Sequence, residues 1–206
     1  MSPRPHVLLA TVVVLLVATQ VVAADRPIEL IPTLGWRGGA EMHADPPGTP
    51  PAKADPSGAF GITMDFGLQP DTWFEVLLER QTLEFSADPA VFGIGRFDVD
   101  VDYLHFGASY GPARDGVRPY VTVAVGLTHF SPDAPSSDGS TDFSGSLGGG
   151  FQVPMGKRVG LRFEVRGYAT LSGGDVAVAC GAGCVAHFGG SGWYQIAGRV
   201  GLAIRL

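Results

Sequence analysis

Charge is scarce in this chain. Asp, Glu, Lys and Arg make up 17% of 206 residues, and acids exceed bases to leave a formal charge of -6. That balance offers no basic footprint for nucleic acid. Cysteine is scarcer still, with Cys180 and Cys184 the full complement. Neither follows the N-terminal leader, so a lipoprotein anchor is not indicated. Beyond residue 24 no apolar stretch reaches the ~20 residues of a membrane-spanning helix. Gly148-Gly149-Gly150 is followed by neither Lys-Ser/Thr nor a helix, which excludes a phosphate loop. His43, His105 and His187 are scattered without ligand spacing. No cofactor and no metal site are expected.

What is abundant is glycine, 30 residues, and apolar side chains, 45%, spread in alternation. Residues 1–24 carry Arg4, an apolar run over 7–17 and the small end Val21-Val22-Ala23-Ala24, the pattern of a secretory signal peptide. An uncleaved anchor is the alternative, for which the run is short. Residues 25–206 suit one domain.

Within that domain the period is two, the signature of β-strands. The closing segment sets Tyr194, Ile196, Val200, Leu202, Ile204 and Leu206 against Gln195, Ala197, Arg199, Gly201, Ala203 and Arg205. Seven earlier segments behave alike, near 31–39, 60–66, 74–81, 97–110, 121–128, 143–153 and 159–170. In the fourth, Phe97, Val99, Val101 and Tyr103 give way to Leu104, Phe106, Ala108 and Tyr110. This one-residue slip predicts a β-bulge near Tyr103 and Leu104. Connections after the second, fourth and sixth strands are compact, at 68–71, 111–117 and 154–157. Those after the first, third, fifth and seventh, at 44–58, 87–96, 131–140 and 172–192, are long and rich in Pro, Gly, Ser and Asp. Short turns at one end and long loops at the other are expected of a transmembrane barrel.

These patterns predict an all-β fold: a closed, eight-stranded, antiparallel up-and-down transmembrane β-barrel. A bilayer cannot hydrate free backbone groups, so the sheet must close. An outward charge near the midplane costs ~2–4 kcal/mol, so the alternating charges belong inside. The expected lumen network is Arg37, Asp65, Glu75, Glu79, Asp98, Asp100, Asp102, Arg162, Glu164, Arg166 and Arg199. The acids of strands two to four should face the arginines of strands seven, eight and one. Eight strands leave an interior that side chains fill, which implies a plugged barrel. For Arg205, Arg37 and Asp98, near strand ends, a water-facing place is the alternative. Trp36, Trp73, Tyr110, Tyr120, Trp193 and Tyr194 are expected as interface girdles.

Two motifs could carry chemistry. Cys180 and Cys184, in Cys-Gly-Ala-Gly-Cys, read as a loop disulfide, with a thiolate site including His187 as the alternative. His129 and Ser131, outward at the end of the fifth strand, resemble the His-x-Ser of the lipid A deacylase family. Pro132 follows that serine where a polar residue is wanted, and no orienting acid is evident.

With its strands in place the chain resembles the small eight-stranded outer-membrane β-barrel proteins of Gram-negative bacteria, the OmpA-like or OmpX-like superfamily. The segments Ile31-Pro32-Thr33-Leu34-Gly35-Trp36-Arg37, Phe74-Glu75-Val76-Leu77-Leu78-Glu79-Arg80-Gln81 and Asp102-Tyr103-Leu104-His105-Phe106-Gly107 carry the likeness to an uncharacterised branch. Leu206 departs from it, because a terminal aromatic is expected there. The resemblance implies the cell outer membrane as location. It implies lipid, lipopolysaccharide and the barrel assembly machinery as partners, and no nucleic acid. A non-enzymatic structural or surface-interaction role is the first expectation. An esterase using His129 and Ser131, or a soluble exported ligand-binding barrel, are the alternatives.

Overall fold

The computed structural model describes residues 26–39, 41–42, 52–86, 96–112, 116–133, 139–171, 176–180, 184–188 and 193–206. The signal peptide expected over 1–24 lies outside the described residues. Every described element is a strand. Eight long ones, β1 (Ile28–Gly38), β4 (Ser57–Gln69), β5 (Thr72–Ser86), β6 (Arg96–Tyr110), β7 (Arg118–Pro132), β8 (Ser140–Pro154), β9 (Val159–Leu171) and β12 (Trp193–Arg205), pair with their chain neighbours, and β12 pairs back onto β1. All pairings are antiparallel, so the sheet closes without an edge. Four short strands decorate the long-loop end. β2 (Glu41–Met42) pairs with β3 (Ala52–Ala54), which continues along the top of β5. β10 (Val176–Cys180) and β11 (Cys184–Phe188) form a separate hairpin. β2, β10 and β11 are described through their backbones alone.

The register fixes the size. Following direct partners from His129 on β7 leads through Asp102, Arg80, Phe60, Leu34, Val200, Phe163 and Phe151, and returns to β7 at Pro119, ten residues lower. Eight strands with that stagger tilt by about 40°. β5 to β8 are 15 residues each, so at ~3.3 Å per residue they rise about 38 Å along the axis. A lipid-facing band is only ~25 Å tall. The barrel is therefore taller than the hydrocarbon band of a bilayer. The loop expected over 131–140 shrinks to 133–139 because β7 and β8 run on past the band.

Through the band, polarity is inverted relative to a soluble protein. Val121, Val125 and Val165 are 60%, 52% and 62% exposed on the outer wall, while Arg162 and Glu164 are 3% and 5% exposed inside. A soluble barrel with an aliphatic interior is thereby excluded. Towards the long-loop end the ordinary preference returns. Leu83, Phe85, Phe97, Val99, Val101, Phe130 and Trp193 are buried inside, with Phe85 stacked on Phe97 at 5.3 Å and Trp193 edge-on to Phe130 at 5.5 Å.

That change of surroundings also accounts for the phase slip in β6. The register runs without offset from Gln81 opposite Val101 to Leu78 opposite Leu104, and from Phe130 opposite Val101 to Leu127 opposite Leu104. There is no bulge at Tyr103 and Leu104. The backbone keeps one alternation, and what changes is the medium outside it. Odd positions from Phe97 to Ser109 face in, and even positions face out. Asp98, Asp100 and Asp102 consequently lie on the outer surface beyond the aliphatic band and do not join the lumen. A register shift occurs instead at Gly67 and Gln69, beside the tight β4–β5 turn.

Candidate functional site

Period two sends every second side chain of each strand towards a common axis, and acids and arginines arriving from opposite walls meet there. Four carboxylates face four guanidiniums. Arg162 on β9 reaches Asp65 on β4 at 2.6 Å, Glu75 on β5 at 3.1 Å and its neighbour Glu164 at 3.1 Å. Arg166 reaches Glu75 at 2.8 Å and Glu164 at 2.6 Å. On β12, Arg199 donates to Glu79 at 2.7 Å and also pairs with Glu164. Arg37 on β1 pairs with Glu79. Its guanidinium packs against the rings of both Tyr103 and Tyr168, 4.5 and 4.2 Å from their centroids, a double cation–π contact suited to a desolvated arginine. Tyrosine hydroxyls add donors to two of these carboxylates: Tyr120 donates to Glu164 at 2.7 Å and Tyr168 to Glu79 at 3.0 Å.

Further layers lie above and below. At the short-turn mouth Glu29 accepts from Arg118 at 3.2 Å, Gln152 at 3.1 Å and Arg205 at 2.9 Å, and Arg118 lies over the Trp73 ring. Arg205 is thus half exposed at the mouth and still paired. Above the charged layer His105 is held between Ser146, 3.0 Å from Nδ1, and Ser144, 2.8 Å from Nε2. Tyr103 donates to Gln195, which donates to Gln81.

Of the residues expected in the lumen, Arg37, Asp65, Glu75, Glu79, Arg162, Glu164, Arg166 and Arg199 are buried within it and in mutual contact. Asp98, Asp100 and Asp102 are the exceptions, turned out as described. Asp102 takes a bidentate pair from Arg80, 2.6 Å in each arm, and Asp100 accepts from Thr82 at 2.6 Å. Trp73, Tyr120 and Trp193, expected in the girdle, face inward instead. Each sits one residue from an outward Phe74, Val121 or Tyr194, so the alternation itself sends it to the lumen. Trp36, Tyr110 and Tyr194 do lie on the outer wall. Glu29, Arg118 and His105 were not singled out as lumen residues; their signal was the same inward phase.

On the outer wall His129 and Ser131 share the outward face of β7. His129 Nδ1 bonds the Thr141 hydroxyl of β8 at 2.7 Å. Asp102, its direct partner on β6, is engaged by Arg80. Among the described residues it is the Thr141 hydroxyl, and not a carboxylate, that bonds the imidazole. Among the described residues no three His, Cys, Asp or Glu side chains stand close enough to share a metal ion. Cys180 is the direct backbone partner of Cys184 across the β10–β11 hairpin, and the side chains of both lie outside the described residues.

No family model matches the chain, and no curated protein matches it. Solved structures do. The outer membrane protein OprG of Pseudomonas aeruginosa superposes with a TM-score of 0.61 at 12% identity, over 88% of this chain and 96% of that one. This is the fold of a small outer-membrane β-barrel. Neisserial surface protein A is similar too, with a TM-score of 0.54 at 14% identity over 87% of this chain and 96% of its own. The shorter connections, after β4, β6 and β8, lie at one end of the barrel together with the paired Glu29 and Arg205 of the β1–β12 seam, and the longer connections lie at the other end.

Proposed function

We propose that this is a non-enzymatic outer-membrane barrel with a plugged, charge-paired lumen, whose role is structural or is carried by the interactions of its outer loops. The observation that carries the reading is the unbroken chain Asp65–Arg162–Glu164–Arg199–Glu79–Arg37, which crosses the lumen between five strands. A solute would have to separate several of these pairs together. Uncoupling one buried partner already costs about 3–5 kcal/mol. Above the charges, the buried cluster of Phe85, Phe97, Val99 and Val101 adds a water-excluding layer. Both features support a closed interior.

The loop hairpin supports the second half of the reading. Opposed Cys180 and Cys184 suit a disulfide that would brace an outer loop in an oxidising compartment. Delivery is assigned to the barrel assembly machinery, which would read the closing strand with its outward Leu202 and Ile204 and the exposed Leu206 that follows it. Lipid and lipopolysaccharide are the surrounding partners.

Reconstitution into planar bilayers tests the lumen. Wild-type protein that shows heat-modifiable gel mobility should insert without steady single-channel steps. Reproducible ohmic steps from such protein would refute the plugged lumen, whatever the loops do.

A further inference from the structure

On the outer wall two facing side chains turn away from each other. His129 on β7 and Asp102 on β6 are direct cross-strand partners, 4.5–5.5 Å apart at Cβ in an ordinary antiparallel pair. Yet His129 bonds backwards to Thr141 on β8, and Asp102 bonds backwards to Arg80 on β5. The space between them opens into a groove of about 460 Å³, a size usual for small-ligand sites. Its floor is apolar, made by Phe60, Ile62, Leu78, Leu104 and Leu127. Its upper rim is the polar row Arg80, Asp102, His129 and Thr141. The floor belongs to the lipid-facing band, and the rim sits where that band ends. An amphiphile with a chain below and a polar head above has the matching profile.

Electrostatics narrows the head. The rim pairs one guanidinium with one carboxylate, so it offers no net positive charge. Just outward of it, Asp98, Asp100 and Asp133 border a second depression with Thr82 and Ser131. Such a surface repels a phosphate, which is drawn to unpaired Arg and Lys. Donors and acceptors alternate along the row, as hydroxyls require, because a hydroxyl both donates and accepts. The end of the barrel decides the leaflet: the row lies at the long-loop end.

We propose that this groove binds an outer-leaflet glycolipid, with one acyl chain along Leu78, Leu104 and Leu127 and sugar hydroxyls bridging the gap between Asp102 and His129. The inference rests on the outer-membrane placement and is independent of whether the lumen conducts. Binding needs no hydrolysis, and His129 acts here as a hydrogen-bonding wall.

Native mass spectrometry of the refolded, full barrel tests it, with purified lipid A, dephosphorylated lipid A and phosphatidylglycerol offered separately. Wild-type protein should retain dephosphorylated lipid A at least tenfold more than phosphatidylglycerol, and at least as well as lipid A itself. Leu104→Trp, which fills the floor, should abolish that preference, and Val165→Trp on another part of the wall should not. Equal retention by wild type and Leu104→Trp overturns the site. Loss of binding on dephosphorylation overturns the hydroxyl assignment. If Leu104→Trp does not regain heat-modifiable mobility, Asp102→Ala carries the same comparison. The conductance of wild-type protein, measured separately, distinguishes failure of this proposal from failure of the plugged lumen.

Discussion

Arg162→Ala is expected to lower the unfolding free energy of the refolded barrel by about 3–5 kcal/mol, the range for removing one partner of a buried pair. The reason is the company that Arg162 keeps. It is the shared cation of Asp65, Glu75 and Glu164, it donates Nε to the Tyr120 hydroxyl at 2.7 Å, and it lies over that ring at 4.2 Å. Its loss removes the cation paired with Asp65 and leaves Glu75 and Glu164 to Arg166 and Arg199. The double variant Arg162→Met with Asp65→Asn removes charge from both sides and should recover part of the loss. Urea titration in detergent, read by the gel shift between folded and heated forms, measures both. A single variant as stable as wild type would mean that the lumen charges are not desolvated.

The second large effect concerns the outer wall. Val125→Arg places a guanidinium on a strand face that is 52% exposed to the surrounding medium in the middle of the aliphatic band. Near the midplane this costs about 2–4 kcal/mol. Asp100→Arg, also outward but beyond the band, should leave the unfolding midpoint in lipid vesicles unchanged, since water or headgroups hydrate it. The contrast between the two locates the edge of the hydrocarbon. Equal tolerance of both would show that the wall at Val125 does not meet lipid.

Both predictions depend on a rule that sequence reading applied too uniformly. Alternation in β4, β5, β7, β9 and β12 was legible because each strand keeps one medium outside it over most of its length. Arg162, Glu164 and Arg166 fall on one phase, with Leu161, Phe163 and Val165 on the other, and the structure keeps that division. In β6 the same reasoning failed. Asp98, Asp100 and Asp102 share a face with Leu104 and Phe106, so a reading by residue type must either break the strand or put acids in lipid. Neither happens. The strand is longer than the bilayer is thick, and its outward face leaves hydrocarbon for water between Leu104 and Asp102.

The candidate outer groove was only half legible. The outward phase of His129 could be read from β7 alone. That Asp102 faces it, that Arg80 and Thr141 draw the two apart, and that aliphatic side chains from β4, β5, β6 and β7 floor the gap depends on the relative register of neighbouring strands. A one-residue slip would flip those faces.

Strand number, closure, loop asymmetry and the inward place of the charges on β1, β4, β5, β9 and β12 were determined by the sequence itself, because period two and the cost of unpaired backbone in lipid act strand by strand. Which arginine meets which carboxylate was decided only in three dimensions. Arg162 and Asp65 are 97 positions apart, and Arg199 and Glu79 are 120. Stagger around the ring brings such groups to one height, and stagger is a collective property of eight strands. The height at which polarity reverts was decided the same way, by tilt and strand length set against the thickness of the membrane.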